Sequence, residues 1–102
     1  MAEALTSQVL FTSVVSAFEL YSGAKTEKQI RAVETLLQAI VVFPISLDSS
    51  RRAGHIRRNL DLEWKTIPMA DCLIAGICQE QKIPLLTRNK KHFERIPNLI
   101  LA

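Results

Sequence analysis

The chain has 102 residues, 48% of them hydrophobic, which is enough for one small domain with a core that needs neither disulfides nor a structural metal. Thirteen Lys and Arg against ten Asp and Glu give a net charge of +3, a mild basic bias that is compatible with an anionic partner but does not identify one. No apolar run approaches the roughly 20 residues of a membrane span, and no basic and then apolar leader follows Met1. We therefore expect a single cytoplasmic domain, residues 1–102, without a membrane partner.

Four short apolar runs predict β-strands. They cover residues 10–15, 41–45, 83–87 and 99–101, and helical segments separate the first three. Continuous apolar strands of about five residues between helices are typical of a parallel sheet that is covered on both faces. The predicted fold class is therefore α/β, a three-layer sandwich with a parallel β-sheet.

Three segments have helical character. The apolar positions of residues 26–40 repeat every three or four residues, Asp48 is a predicted N-cap, and Pro68 favours the first turn of a helix that runs to about residue 81. We expect the helix after Asp48 to bury Ala53, Ile56 and Leu60.

The two cysteines do not indicate a site. Cys72 and Cys78 lie six residues apart in one predicted helix, so their side chains point in different directions. This spacing matches neither a metal site nor a redox pair, and we expect two core thiols in a reducing compartment.

Three polar residues fall at junctions between predicted strands and helices: Glu19, Asp71 and Asn89. Each has a structural alternative. Glu19 and Ser16 have the spacing of a capping box, Asp71 could complement a helix macrodipole, and Asn89 could be the N-cap of a short helix that begins at Lys90. A shared divalent cation would instead explain two carboxylates at one edge of a sheet, because Mg²⁺ prefers oxygen ligands.

Three segments then carry a resemblance. FTSVVSAFELYSGA, PISLDSSRRAGHIRRNL and IPMADCLIAGICQEQKIPLLTRNKKHFERIP resemble successive blocks of a PIN domain, in particular the VapC-type toxins of bacterial and archaeal toxin–antitoxin pairs. The resemblance implies an endoribonuclease that depends on Mg²⁺ or Mn²⁺ and hydrolyses RNA phosphodiester bonds. It implies Glu19 and Asp71 as metal ligands, with Asn89 as a third catalytic residue.

The resemblance also implies partners. RNA would meet the basic residues near the site, and a cognate antitoxin would be a further partner. A second basic set on the helix after Asp48 is expected to be a solvated helix face. The residues predicted to bind RNA are Arg88, Lys90, Lys91 and Arg95, and the second set is Arg51, Arg52, Arg57 and Arg58.

The chain departs from the family pattern at two places. Members begin with a strand that ends in a metal-binding Asp, whereas MAEALTSQ resembles the tail of the helix before the second strand. We therefore expect an N-terminally truncated domain with a weakly bound metal. We also expect a homo-oligomer, because losing a central strand exposes backbone groups and apolar helix faces that must be covered. His92 stands where many relatives have Asp, and we expect it on the surface. The alternative function is a catalytically impaired remnant that acts through protein–protein contacts, by oligomerisation or antitoxin binding.

Overall fold

The computed structural model describes the backbone of residues 3–6, 9–85, 87 and 89–101, and the side chains of those from residue 11 onward. The elements in chain order are β1 (Glu3–Thr6), β2 (Val9–Ser13), α1 (Val14–Gly23), α2 (Glu27–Gln38), β3 (Val41–Phe43), α3 (Leu47–Leu62), α4 (Met69–Gln81) and α5 (Lys90–Phe93).

The sheet has the order β1-β2-β3. Strands β2 and β3 pair in parallel, with Ser13 opposite Phe43, and the rings of Phe11 and Phe43 stack at 5.1 Å between centroids. This parallel pairing confirms the predicted α/β class. Strand β1 pairs antiparallel with β2, so the helix expected at the start of the chain is wrong for Glu3–Thr6. The antiparallel pairing gives hydrogen-bond partners to an edge of β2 that would otherwise be open.

The last two predicted strands meet at a single position. Leu85 and Leu101 form a parallel bridge, and the Leu85 N–H donates to the Ile100 carbonyl at 2.8 Å. Leu86 and Arg88, which are close to Leu85 in the chain, lie outside the described residues. The predicted parallel arrangement of these two segments is thus confirmed at the bridge.

The boundary between β2 and α1 lies two residues earlier than predicted. Ser13 is the N-cap of α1, and its hydroxyl oxygen accepts from the Ser16 N–H at 3.1 Å. The first helical residues are Val14 and Val15, which the sequence placed in the strand. An N-cap contributes about 1 kcal/mol, which exceeds the few tenths by which valine disfavours a helix. The capping box of Ser16 with Glu19 does not form.

The other helices follow the predicted pattern with one correction. Helix α2 begins after a capping box of Thr26 and Gln29, and α4 begins after Pro68. The N-cap of α3 is Ser46, so the prediction of Asp48 is wrong. The Ser49 N–H donates to the hydroxyl oxygen of Ser46 at 3.0 Å. Asp48 instead lies in the first turn of α3 and binds Arg51 and Arg52.

The core lies mainly between α3 and α4, whose contact includes the predicted residues Ala53, Ile56 and Leu60. Cys72 and Cys78 are buried free thiols, as predicted. Burial raises the pKa of both thiols, that of Cys78 to about 11. No helix among the described residues is long and apolar enough to cross a membrane.

Candidate active site

Asp71 and His92 form the centre of the candidate site. Asp71 lies in the first turn of α4 with its side chain 14% exposed, and its Oδ2 lies 2.7 Å from Nδ1 of His92 in α5. The side chain of His92 is 36% exposed. His92 was expected on the surface, whereas the fold places it against a predicted metal ligand. Sequence reasoning missed this contact because 21 residues separate the partners and no local pattern relates them.

The short helix α5 is held in place by its neighbours. Phe93 and Ile96 are buried in the core, and the His92 N–H donates to the Asn89 carbonyl at 3.1 Å. Consequently the position of His92 depends on the packing of Phe93 beneath it.

Asn89 occupies the N-cap position of α5, as one alternative predicted, but its side chain makes no capping hydrogen bond. Its N–H donates to the hydroxyl oxygen of Thr87 at 3.1 Å, and the residue is exposed. The side-chain amide is therefore not used to cap the helix.

Glu19 is exposed on α1, one turn after the buried Val15 and Ser16 and on the same side of the helix. Two nearby apolar side chains on the same helix are also exposed, Phe18 to 69% and Tyr21 to 42%, so Glu19 does not stand in a buried run. Helix α1 contacts α4, the helix that carries Asp71. That Glu19 and Asp71 share one site stays a prediction.

The donor types fit a hard divalent cation. Carboxylate and amide oxygens are ligands that Mg²⁺ accepts, and it commonly uses only one or two carboxylates together with water. Within the described ranges, however, no group of three or more His, Cys, Asp or Glu side chains is placed to hold a metal ion. The residues present fit a cation that keeps much of its water and is held by few protein ligands.

The predicted RNA-binding residues differ in their surroundings. Lys90 and Lys91 are exposed on α5. Arg95 contacts the chain before α4, since its Nη1 lies 3.4 Å from the carbonyl oxygens of Lys65 and Thr66. Arg88 lies outside the described residues.

The second basic set is largely engaged in ion pairs within α3. Arg51 and Arg52 bind Asp48. The hydrogen bond from Arg52, and then the positive charges of both arginines, lower the pKa of Asp48. Nε of Arg57 lies 3.7 Å from Oδ2 of Asp61.

A groove of about 790 Å³ runs between this side of α3 and the segment around Pro97. None of Glu19, Asp71 and Asn89 lines that groove.

A model of the PIN domain family matches residues 1–99. Ribonuclease VapC19 of Mycobacterium tuberculosis is 32% identical over 82 residues, which are 80% of this chain and 65% of that protein. The solved structure of VapBC-1 from nontypeable Haemophilus influenzae gives a TM-score of 0.87 at 27% identity, over 96% of this chain and 77% of that one. A toxin–antitoxin complex from Klebsiella pneumoniae gives a TM-score of 0.71 at 26% identity, over 86% and 69% of the two chains.

The chain thus spans 65% of the length of the mycobacterial relative. The family match covers β1 to α5, and therefore includes Glu19, Asp71 and Asn89. By this match the chain belongs to the PIN domain family.

Proposed function

We propose that this protein is a metal-dependent endoribonuclease of the VapC type. The observation that carries the proposal is the position of Asp71, a partly buried carboxylate in the first turn of α4 within the matched PIN region. Similarity to a ribonuclease of Mycobacterium tuberculosis supports RNA as the substrate class.

In this proposal Glu19 and Asp71 would hold Mg²⁺ or Mn²⁺, and Asn89 would orient a water at the site. Such a cation, when bound, would supply an activated water and neutralise charge that develops on the phosphate. Lys90 and Lys91 bind the RNA backbone beside the site, since their ammonium groups are exposed on α5 and carry the charge that phosphates attract.

Two protein partners belong to the same proposal. A cognate antitoxin is the first, supported by the similarity to the Klebsiella toxin–antitoxin complex. Other copies of the chain are the second, supported by the apolar side chains of Phe18 and Tyr21 that α1 exposes. Light scattering tests the second partner: a stable monomer at micromolar concentration would contradict it.

The test of the activity is cleavage of RNA with Mg²⁺ or Mn²⁺ and with EDTA. We expect cleavage to stop in EDTA and to fall at least about a hundredfold in Glu19→Gln and in Asp71→Asn, the scale on which loss of one transition-state-stabilising group acts. Glu34→Gln is the matched control, because Glu34 is an exposed carboxylate on α2.

Cleavage that persists in EDTA, or in either site variant, would show that the site is misassigned. A folded wild-type protein that cleaves no RNA with either metal would contradict the proposal and favour the impaired remnant.

A further inference from the structure

The hydrogen bond between Asp71 and His92 joins the first turn of α4 to α5. A carboxylate can only accept, so at 2.7 Å the Nδ1 of His92 is the donor. We propose that His92 is a positioning residue for Asp71: it fixes one carboxylate oxygen so that the other is presented to a divalent cation. The inference rests on the proposed function, since it takes Asp71 as a metal ligand.

The geometry leaves one carboxylate oxygen for the cation. His92 contacts Oδ2 of Asp71, and the described part of the chain gives Oδ1 no hydrogen-bond partner. The Asp71 side chain is 14% exposed, so it remains accessible from solvent. One oxygen is therefore held and the other is available.

The donor does not depend on the charge of the imidazole. The neutral ring protonated on Nδ1 and the imidazolium both present an Nδ1–H, so both hold the carboxylate. Nδ1 is also the ring nitrogen closer to the backbone, and that backbone is fixed by the buried Phe93 next to it. The hydrogen bond is thus supported by the core rather than by a mobile side chain.

Fixing a carboxylate before a metal arrives should raise the affinity. A free carboxylate must be ordered when it binds, whereas one already held by a hydrogen bond is ordered beforehand. Partners that hydrogen-bond metal ligands typically change metal affinity by about 10–100-fold when they are removed. A protein with few metal ligands should depend strongly on this contribution.

The test uses Mn²⁺ alone as the probe, with affinity measured from the electron paramagnetic resonance signal of the free ion. We expect His92→Ala to weaken Mn²⁺ binding by about 10–100-fold. In His92→Asn the amide nitrogen lies near the original Nδ1 and can donate, so we expect affinity close to wild type. His55→Ala is the matched control, because His55 is the second histidine and lies exposed on α3.

The outcomes separate this inference from the proposed function. If Asp71→Ala loses Mn²⁺ while His92→Ala binds it as tightly as wild type, the positioning role is wrong and the metal site stands. If wild type binds no Mn²⁺, the proposed metal site is wrong. The hydrogen bond from His92 to Asp71 is then tested separately, by the tautomer of the His92 imidazole.

Long-range ¹H–¹⁵N spectra of wild type report the tautomer of neutral His92 without any metal. If the proton is on Nδ1 in wild type and is no longer on Nδ1 in Asp71→Ala, the hydrogen bond is supported as the positioning contact. A proton on Nε2 in wild type would overturn the inference. This measurement also serves if His92→Ala does not fold.

Discussion

Gly76 and Gly54 provide a matched pair of substitutions that tests the packing of α3 against α4. A Cβ at Gly76 would overlap the carbonyl oxygen of Ser49 and lie 3.0 Å from the amide nitrogen and 3.1 Å from the Cβ of Ala53. Two of these three atoms are backbone, so α3 as a whole must shift. A Cβ at Gly54, on the exposed side of α3, meets nothing within 4 Å.

The two substitutions are expected to change the free energy of unfolding in opposite directions. Replacing a helix-interior glycine by alanine gains about 1 kcal/mol, and at Gly54 nothing opposes that gain. Overpacking a core typically costs about 1–3 kcal/mol, and the overlap with backbone at Gly76 favours the upper end. Gly76→Ala gains the same helix propensity, so its net effect should be to lower the free energy of unfolding by about 2 kcal/mol. The two variants should then differ by about 3 kcal/mol, or by on the order of 10–20 °C in Tm for a domain of this size.

Urea denaturation followed by circular dichroism measures both variants against wild type. We expect the midpoint to rise for Gly54→Ala and to fall for Gly76→Ala with unchanged slope. Stabilisation of both variants by similar amounts would refute the close approach of α3 and α4. Destabilisation by Gly54→Ala would refute the open space on the outer side of α3.

Four further outcomes are expected. Burial raises the pKa of Cys78 from the usual 9.0 to about 11. The unfolded chain therefore loses this proton at lower pH than the folded chain, so the free energy of unfolding should fall as pH rises from 9 to 11. Cys78→Ala should lessen that fall, and an equally steep fall in the variant would contradict the assignment. Ser46→Ala should cost about 1 kcal/mol in denaturant unfolding because α3 loses its N-cap, and an unchanged midpoint would argue for another cap. Neutralising both Lys90 and Lys91 should weaken RNA binding and lower the salt slope by about 2, one for each lost phosphate contact, in a filter-binding titration; an unchanged slope would place RNA elsewhere. Calorimetry should find weak Mg²⁺ binding, since only two carboxylates are proposed as ligands, and a low micromolar Kd would reveal a ligand beyond them.

Local features of the sequence predicted most of the helices correctly. The spacing of Ala53, Ile56 and Leu60 placed them on the buried face of α3, because helical periodicity depends only on residues three and four apart. Boundaries were less well predicted, since Ser13 and Ser46 compete with neighbouring residues for the cap position. Which of two nearby polar residues caps a helix depends on the direction from which the chain enters, and the sequence alone does not give that direction.

The sequence by itself determined which chemical groups the candidate site can offer: the carboxylates of Glu19 and Asp71 and the amide of Asn89. Only the tertiary structure decided how they are presented. The packing of Phe93 in the core places His92 on Asp71, across 21 residues, and Glu19 is exposed although the buried Val15 precedes it by one turn of α1. These are long-range consequences of how helices pack on the sheet and on one another, and no periodicity within a single helix or strand contains them.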